Sequence, residues 1–153
     1  MYLALEGIRG SVVHDNHVGS INVVTWSFLV EGPRVGEPAT GHGLDLVLHA
    51  DESAPQLFVA CMSGRVIPRG TIVVKSGSGI VLFEVELEHI VVAQMGTEAD
   101  HGDNQPHAHV TLKCQRVAGV YTPRRADGTI DPAVFGGWDL LEHHEWTPRA
   151  GNA

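Results

Sequence analysis

Three histidines fall within nine positions of the stretch "HGDNQPHAHV" (101–110), which closes on a His107-x-His109 pair preceded by Gly102. Residues two apart on a strand face the same side, so His107 and His109 offer two imidazole nitrogens to one transition metal. A catalytic metal site of this pattern also takes a carboxylate soon after the pair and a further histidine from a later strand. Here "VTLKCQRVAG" follows, and no carboxylate comes before Asp127. The spacing from Gly102 to His107 is one residue short of that pattern as well. The expectation is two exposed strand histidines, with no metal and no other cofactor.

The remaining chemically capable residues read in the same direction. His143 and His144 point to opposite faces if extended, which spoils them as a chelate. His14 and His17 flank Asp15 in an early loop, and His89 sits on an apolar face as a hydrogen-bonded core or interface residue. Glu84, Glu86 and Glu88 repeat along one strand face at about 6.5–7 Å per step, a regular row suited to a hydrated sheet surface rather than an acid–base pair. No G-x-S-x-G, phosphate loop or Cys/His nucleophile arrangement is present. Cys61 and Cys114 lie in apolar runs with no C-x-x-C spacing and read as free core thiols. The chain is not expected to be an enzyme.

Composition narrows the partners. The formal net charge is −8, and Lys75 and Lys113 are the sole lysines. Phosphate neutralisation needs clustered Lys and Arg, so nucleic acid is not an expected partner. Glu6 interrupts the first apolar stretch before it reaches signal-peptide form, and no run approaches transmembrane length. The expectation is synthesis in the cytoplasm, no membrane insertion, and any export by a route that reads no signal peptide.

The elements that would position these residues follow a period of two. "INVVTWSFLV" (21–30) sets Val24, Trp26, Phe28 and Val30 against Ile21, Val23, Thr25, Ser27 and Leu29. "HGLDLVLH" (42–49) turns Leu44, Leu46 and Leu48 inward. "TIVVK" (71–75) follows. "IVLFEVELEHIVVAQM" (80–95) places Val81, Phe83, Val85, Leu87, Val91 and Ala93 on one face. "HAHVTLKC" (107–114) buries Ala108, Val110, Leu112 and Cys114, and short strands at 2–8 and near 138–142 complete an antiparallel set. "SAPQLFVACMSG" (53–64) alone has helical spacing. Ser53 and Gln56 form a capping box, Ala54, Leu57, Phe58 and Cys61 share a stripe, and Gly64 supplies the stop. The reading is a mainly β fold, a small antiparallel β-barrel or sandwich with one short flanking helix at about 53–63. Residues 1–146 make one domain and 147–153 a flexible tail.

Two features point to self-association. Residues 21–30 are apolar on both faces, and 80–95 carries Ile80, Leu82, Ile90 and Val92 on its supposed polar side, whereas a lone barrel has one inside. The connection "EGPRVGEPATG" (31–41), polar and with two prolines, is also long for a compact domain.

Four segments, taken in order, carry a resemblance: "YLALEGIRGS", "INVVTWSF", "SAPQLFVACMSGRVI" and "GGWDLLEH". Together they resemble the Hcp (haemolysin-coregulated protein) tube family of type VI secretion. Its members typically begin Y-L-K-I-D-G-I-x-G, continue with V-x-x-W-S-W and A-S-P-x-L, and finish on G-W-D-L. The resemblance spans Tyr2 to about His143. Phe28 replaces the second tryptophan, and Ala4 and Glu6 stand where Lys and Asp are usual. The resemblance implies a barrel assembled as a homohexameric ring, with rings stacking into the inner tube of a contractile machine that carries effectors. Sheath, spike and effector proteins would be its partners. It also implies that the 31–41 loop reaches neighbouring subunits or rings through Pro33, Arg34, Val35, Gly36 and Glu37. Two other readings compete: a cupin-like metal-binding barrel enzyme using His107 and His109, and a phage-type tail tube protein.

Overall fold

Antiparallel pairing joins every pair of neighbouring strands in the computed structural model of the chain, which describes residues 1–102 and 104–148. In chain order the elements are β1 (Tyr2–Leu5), a 3₁₀ turn at Asp15–His17, β2 (Ile21–Glu31), β3 (Thr40–His49) and α1 (Ser53–Ser63). Then come β4 (Ile67–Lys75), β5 (Val81–Glu98), β6 (His107–Tyr121), β7 (Val134–Asp139) and β8 (His144–Glu145). Strand order is β3-β2-β1-β4-β5-β6-β7-β8, and a further β3–β6 pairing closes the first six strands into a barrel. The mainly antiparallel β-barrel with one flanking helix is therefore the fold.

Closure works because β6 divides its length between two partners. Its first half, His107 to Leu112, pairs with β3, and its second half, Arg116 to Tyr121, pairs with β7. Leu44, Leu46 and Leu48 of β3 meet Leu112, Val110 and Ala108 of β6 inside the barrel, all of them buried, as the alternation in both segments predicts. Leu3, Ile21, Ile67, Ile72, Leu87 and Ile90 complete one contiguous core.

Two strands depart from simple alternation. A register shift between Val23 and Thr25 puts an extra residue in β2, so Ile21 and Val23 point inward before it and Trp26 and Phe28 after it. Val24, expected on the face of Trp26, is left exposed. In β5 the break is at His89, whose φ of +51° lies in the left-handed region that side chains other than glycine seldom adopt. Leu87 and Ile90, three apart, are both buried, and so are Ile67 and Gly70 on the facing strand. Ile90 and Val92 thus belong to this chain's own core. Ala93 is exposed, Val91 is half-buried, and His89 is exposed rather than set on an apolar face.

Helix α1 closes one flank of the barrel through Leu57 and Ala60, both fully buried. The expected capping box does not form. Glu52 occupies the cap position, and Asp51 Oδ1 instead accepts from the Ser53 backbone N–H at 2.8 Å and from the Ser53 hydroxyl. Gln56 turns outward to Arg9, accepting from its backbone N–H at 3.2 Å and donating to its carbonyl at 2.9 Å. Phe58, expected on the inner stripe, is 58% exposed. Gly64 ends the helix at φ +64° as expected, its N–H directed at the Ala60 and Cys61 carbonyls.

Of the tail expected at 147–153, residues 149–153 lie outside the described residues. Pro148 is buried, and the Trp146 N–H donates to the Gly137 carbonyl at 3.0 Å, drawing this segment back onto β7.

The face switch at His89 makes a prediction. Ile90→Ala should cost about 2–5 kcal/mol of stability through the cavity it leaves, and Val91→Ala less than about 1 kcal/mol. Chemical denaturation of the two variants measures this, and equal losses would refute the switch.

Candidate functional site

The 31–41 connection is an arm projecting from the β2–β3 hairpin. β2 carries it out as far as Glu31 and β3 takes it back from Thr40, with Glu31 and Thr40 opposite each other in register. The tip is a tight turn in which the Glu37 N–H donates to the Arg34 carbonyl at 2.9 Å. Gly36 occupies its third position at φ +83°, a conformation that a side chain would resist. Residues 31–38 are all exposed, and Val35 is completely so. Pro33, Arg34, Val35, Gly36 and Glu37 are thus presented together at the end of the arm, and His42 Nε2 stands 3.4 Å from Glu31 Oε2 at its root.

Beneath that root lies an apolar cleft of about 450 Å³ lined by Val30, Pro33, Pro38, Val117, Trp138 and Leu140. Leu140 packs so closely on Gly41 that a Cβ there would come within 2.9 Å of its methyl carbons. Leu140 is held in place by Asp139, the aspartate of the "GGWDLLEH" segment. Asp139 is fully buried and accepts four hydrogen bonds: from Arg116 Nε (2.7 Å), Gln115 Nε2 (3.1 Å) and the backbone N–H groups of Leu141 (3.0 Å) and Glu142 (2.8 Å). Burial alone would raise its pKa. The Glu142 N–H, the Arg116 guanidinium, Gln115 and the Leu141 N–H outweigh burial and hold the carboxyl well below the usual range. The two backbone bonds cap a helical turn that carries Leu140 and His143 to the arm.

Arg116 extends the network across the sheet to Glu88, 3.2 Å away. Glu84, Glu86 and Glu88 do share a face, but all three are half-buried rather than free in water. Burial, and then the neighbouring charges of Glu84 and Glu88, push the Glu86 carboxyl up from its ordinary value.

The histidines are dispersed. His107 and His109 both point out of the barrel. His109 Nε2 lies 3.0 Å from Glu98 Oε2, while His107 stands between Glu98 on β5 and His49 on β3 in register. A carboxylate does therefore stand near the H-x-H pair, supplied by the neighbouring strand and not by the residues after it. His14 Nε2 is 3.2 Å from the Tyr2 hydroxyl, and the His17 ring stacks on Tyr2 at 4.7 Å. His144 lies against Glu142 at 2.7 Å. Cys61 and Cys114 are free and half-buried, and burial pushes the Cys114 thiol up to about 11. No helix among the described residues is long and apolar enough to cross a membrane.

The part played by Asp139 is absent from the sequence reading, although a signal was there. An acidic cap with glutamate three residues on, Asp139 and Glu142, is the pattern that opens a helical turn.

The described residues thus form a closed antiparallel β-barrel with a projecting hairpin arm and a buried acidic cap at the root of that arm. The family model described as "Type VI secretion system effector, Hcp" matches residues 2–121, and the chain belongs to that family. Protein hcp1 of Pseudomonas aeruginosa is 24% identical over 156 residues, covering 94% of this chain and 96% of that protein. Among solved structures, Hcp1 from Salmonella typhimurium superposes with a TM-score of 0.82 at 22% identity, covering 95% of this chain and 97% of the other. A type VI secretion system effector from Yersinia pestis gives 0.78 at 15% identity, covering 90% and 98%.

Two carboxylates should respond oppositely to pH. Asp139 is a stronger acid folded than unfolded, so its stabilisation is full above the ordinary Asp range and is lost progressively as pH falls from that range through its lower folded value. Asp139→Asn should lower Tm near neutrality more than Glu84→Gln or Glu88→Gln, with the deficit shrinking in acid. Glu86 is the weaker acid in the fold, so Glu86→Gln should raise Tm at about pH 7.5 and lose that advantage towards about pH 4. Thermal melts from about pH 7.5 down to about pH 2 check both signs, the Asp139 part showing only below the ordinary Asp range.

Proposed function

We propose that the chain is a structural, non-catalytic subunit of the inner tube of a type VI contractile secretion machine. It self-assembles into hexameric rings, the rings stack, and the tube carries or exports effectors. The subunit is made in the cytoplasm and leaves through the machine itself. Family membership supports the secretion role, and one observation supports the assembly. Beyond Val23, β2 has β3 as its sole strand partner among the described residues, because β1 reaches no further than Asn22 and Ile21. A long strand edge with Leu29 and Val30 exposed is a template for pairing with another chain. Among the described residues β7 likewise has β6 alone beside Val134, Phe135 and Gly136, and the first two are exposed.

The arm supplies a different contact, between rings. Its tip projects away from the barrel wall with Val35 uncovered, so Pro33, Arg34, Val35, Gly36 and Glu37 meet the next ring or the neighbouring subunit. The outward face of α1, where Phe58, Val59 and Met62 are exposed, is left for the surrounding sheath. Spike and effector proteins engage the assembled tube.

The native mass of the purified protein tests this first. Light scattering should give six times 16.4 kDa. Deleting residues 34–39 should leave that mass unchanged while abolishing higher stacks in sedimentation. A monomer at every concentration would overturn the proposal, and unchanged stacking in the deletion would remove the arm from it.

A further inference from the structure

The outer face at the rim of the β3–β6–β5 sheet carries a row of three metal-binding side chains in direct register. His49 on β3 faces His107 on β6, and His107 faces Glu98 on β5. The two imidazole ring centres are 5.5 Å apart, with their planes inclined by 32°. Two imidazoles sharing one zinc ion at about 2.0–2.1 Å place their ring centres about 5–5.5 Å apart, so the two rings already stand at a separation that one ion can bridge. His49 Nδ1 is buried and has no hydrogen-bond partner among the described residues, which leaves it as the nitrogen available to a ligand. An orphaned buried polar atom of this kind calls for a water or an ion near by.

We infer that His49 and His107 form a cross-strand bis-imidazole site for a divalent late transition metal, zinc or nickel in class, with Glu98 as its third ligand. Glu98 rests on His109 at 3.0 Å with its side chain 65% exposed, so it is free to turn to a metal held by the row. His109 then acts on the carboxylate and does not bind the metal. That differs from the sequence-derived pairing of His107 with His109, because the strand that supplies the second imidazole is β3. The pairings Leu44↔Leu112 to His49↔His107 that close the barrel also build the site, and the Ala50 N–H to Pro106 carbonyl bond (3.0 Å) pins its open end. Two nitrogens and one oxygen leave positions for water, an arrangement suited to reversible binding. The inference is independent of the tube reading.

Untagged protein titrated with Zn²⁺ in a calorimeter, with competition from a chromophoric chelator, tests it. One ion per chain is expected. His49→Gln and His107→Gln should each weaken binding by about tenfold or more, and Glu98→Gln by a smaller factor. His109→Gln should leave affinity within about threefold. Loss of binding in His109→Gln with His49→Gln unaffected would overturn the assignment. So would a loss confined to His144→Gln, which would shift the ion to the Asp139, Glu142 and His144 group, whose ligand atoms lie within 4.8 Å of one another. Should a variant fail to fold by circular dichroism, Co²⁺ added to the wild-type protein must broaden the imidazole resonances of His49 and His107 before any others. Broadening centred elsewhere refutes the site.

Discussion

The pairing of one strand with two partners on the same side organises this molecule. β6 gives its first half to β3 and its second half to β7, so the sheet closes into a barrel and forks where β3 leaves and β7 begins. Between the two partners lie Lys113, Cys114 and Gln115, which neither β3 nor β7 covers in register. The arm emerges beside this fork, the apolar cleft fills it, and Asp139 locks it by tying Gln115 and Arg116 of β6 to the turn after β7. A buried carboxylate is tolerable there because four donors replace its water shell. Arg116 in turn bridges to Glu88, so the fork is braced across three strands by charge-assisted bonds.

Much of this architecture can be read from the chain. Leu44, Leu46 and Leu48, and Ala108, Val110 and Leu112, alternate without interruption, and there the inward faces follow directly from a period of two. Counting fails wherever the backbone departs from a regular pleat. The extra residue near Val24 and the left-handed turn at His89 each reverse which side faces in, and no side-chain pattern announces them. The apolar residues on both sides of 80–95 then look like uncovered surface, when Ile90 and Val92 are core of the same barrel. The case for association accordingly moves from those two-sided strands to the unpaired edge of β2, a property of topology that local periodicity does not contain.

The arm and the helix show the same division. Two prolines and a polar composition mark 31–41 as a long excursion, and the turn at Gly36 is of the kind those residues favour. Helix α1 is placed correctly from its spacing and its glycine stop, yet its N-terminal cap is not. Asp51 is the better competitor for the Ser53 N–H, and Gln56 is drawn away by Arg9, which is 47 residues distant in sequence. Long-range partners of this sort decide side-chain roles that a capping rule assigns locally. The Glu98 carboxylate beside His109 is another instance, since it comes from a neighbouring strand and not from the residues that follow the histidines.

The closing pair of strands also sets the order of events during folding. Hairpins β2–β3, β4–β5 and β5–β6 join segments that are close in the chain, whereas β1–β4 joins Tyr2 to Val73 and β3–β6 joins Leu44 to Leu112 and His49 to His107 across the helix and two intervening strands. Loop-closure entropy delays such a contact until the local hairpins exist. Until then β3 and the first half of β6 are bare edges lined with leucine and valine, in addition to the β2 edge that stays open in the finished barrel. A newly made chain is thus at its most adhesive until both long-range pairings have formed, and the rate of that closure governs how many copies survive as subunits able to choose their neighbours.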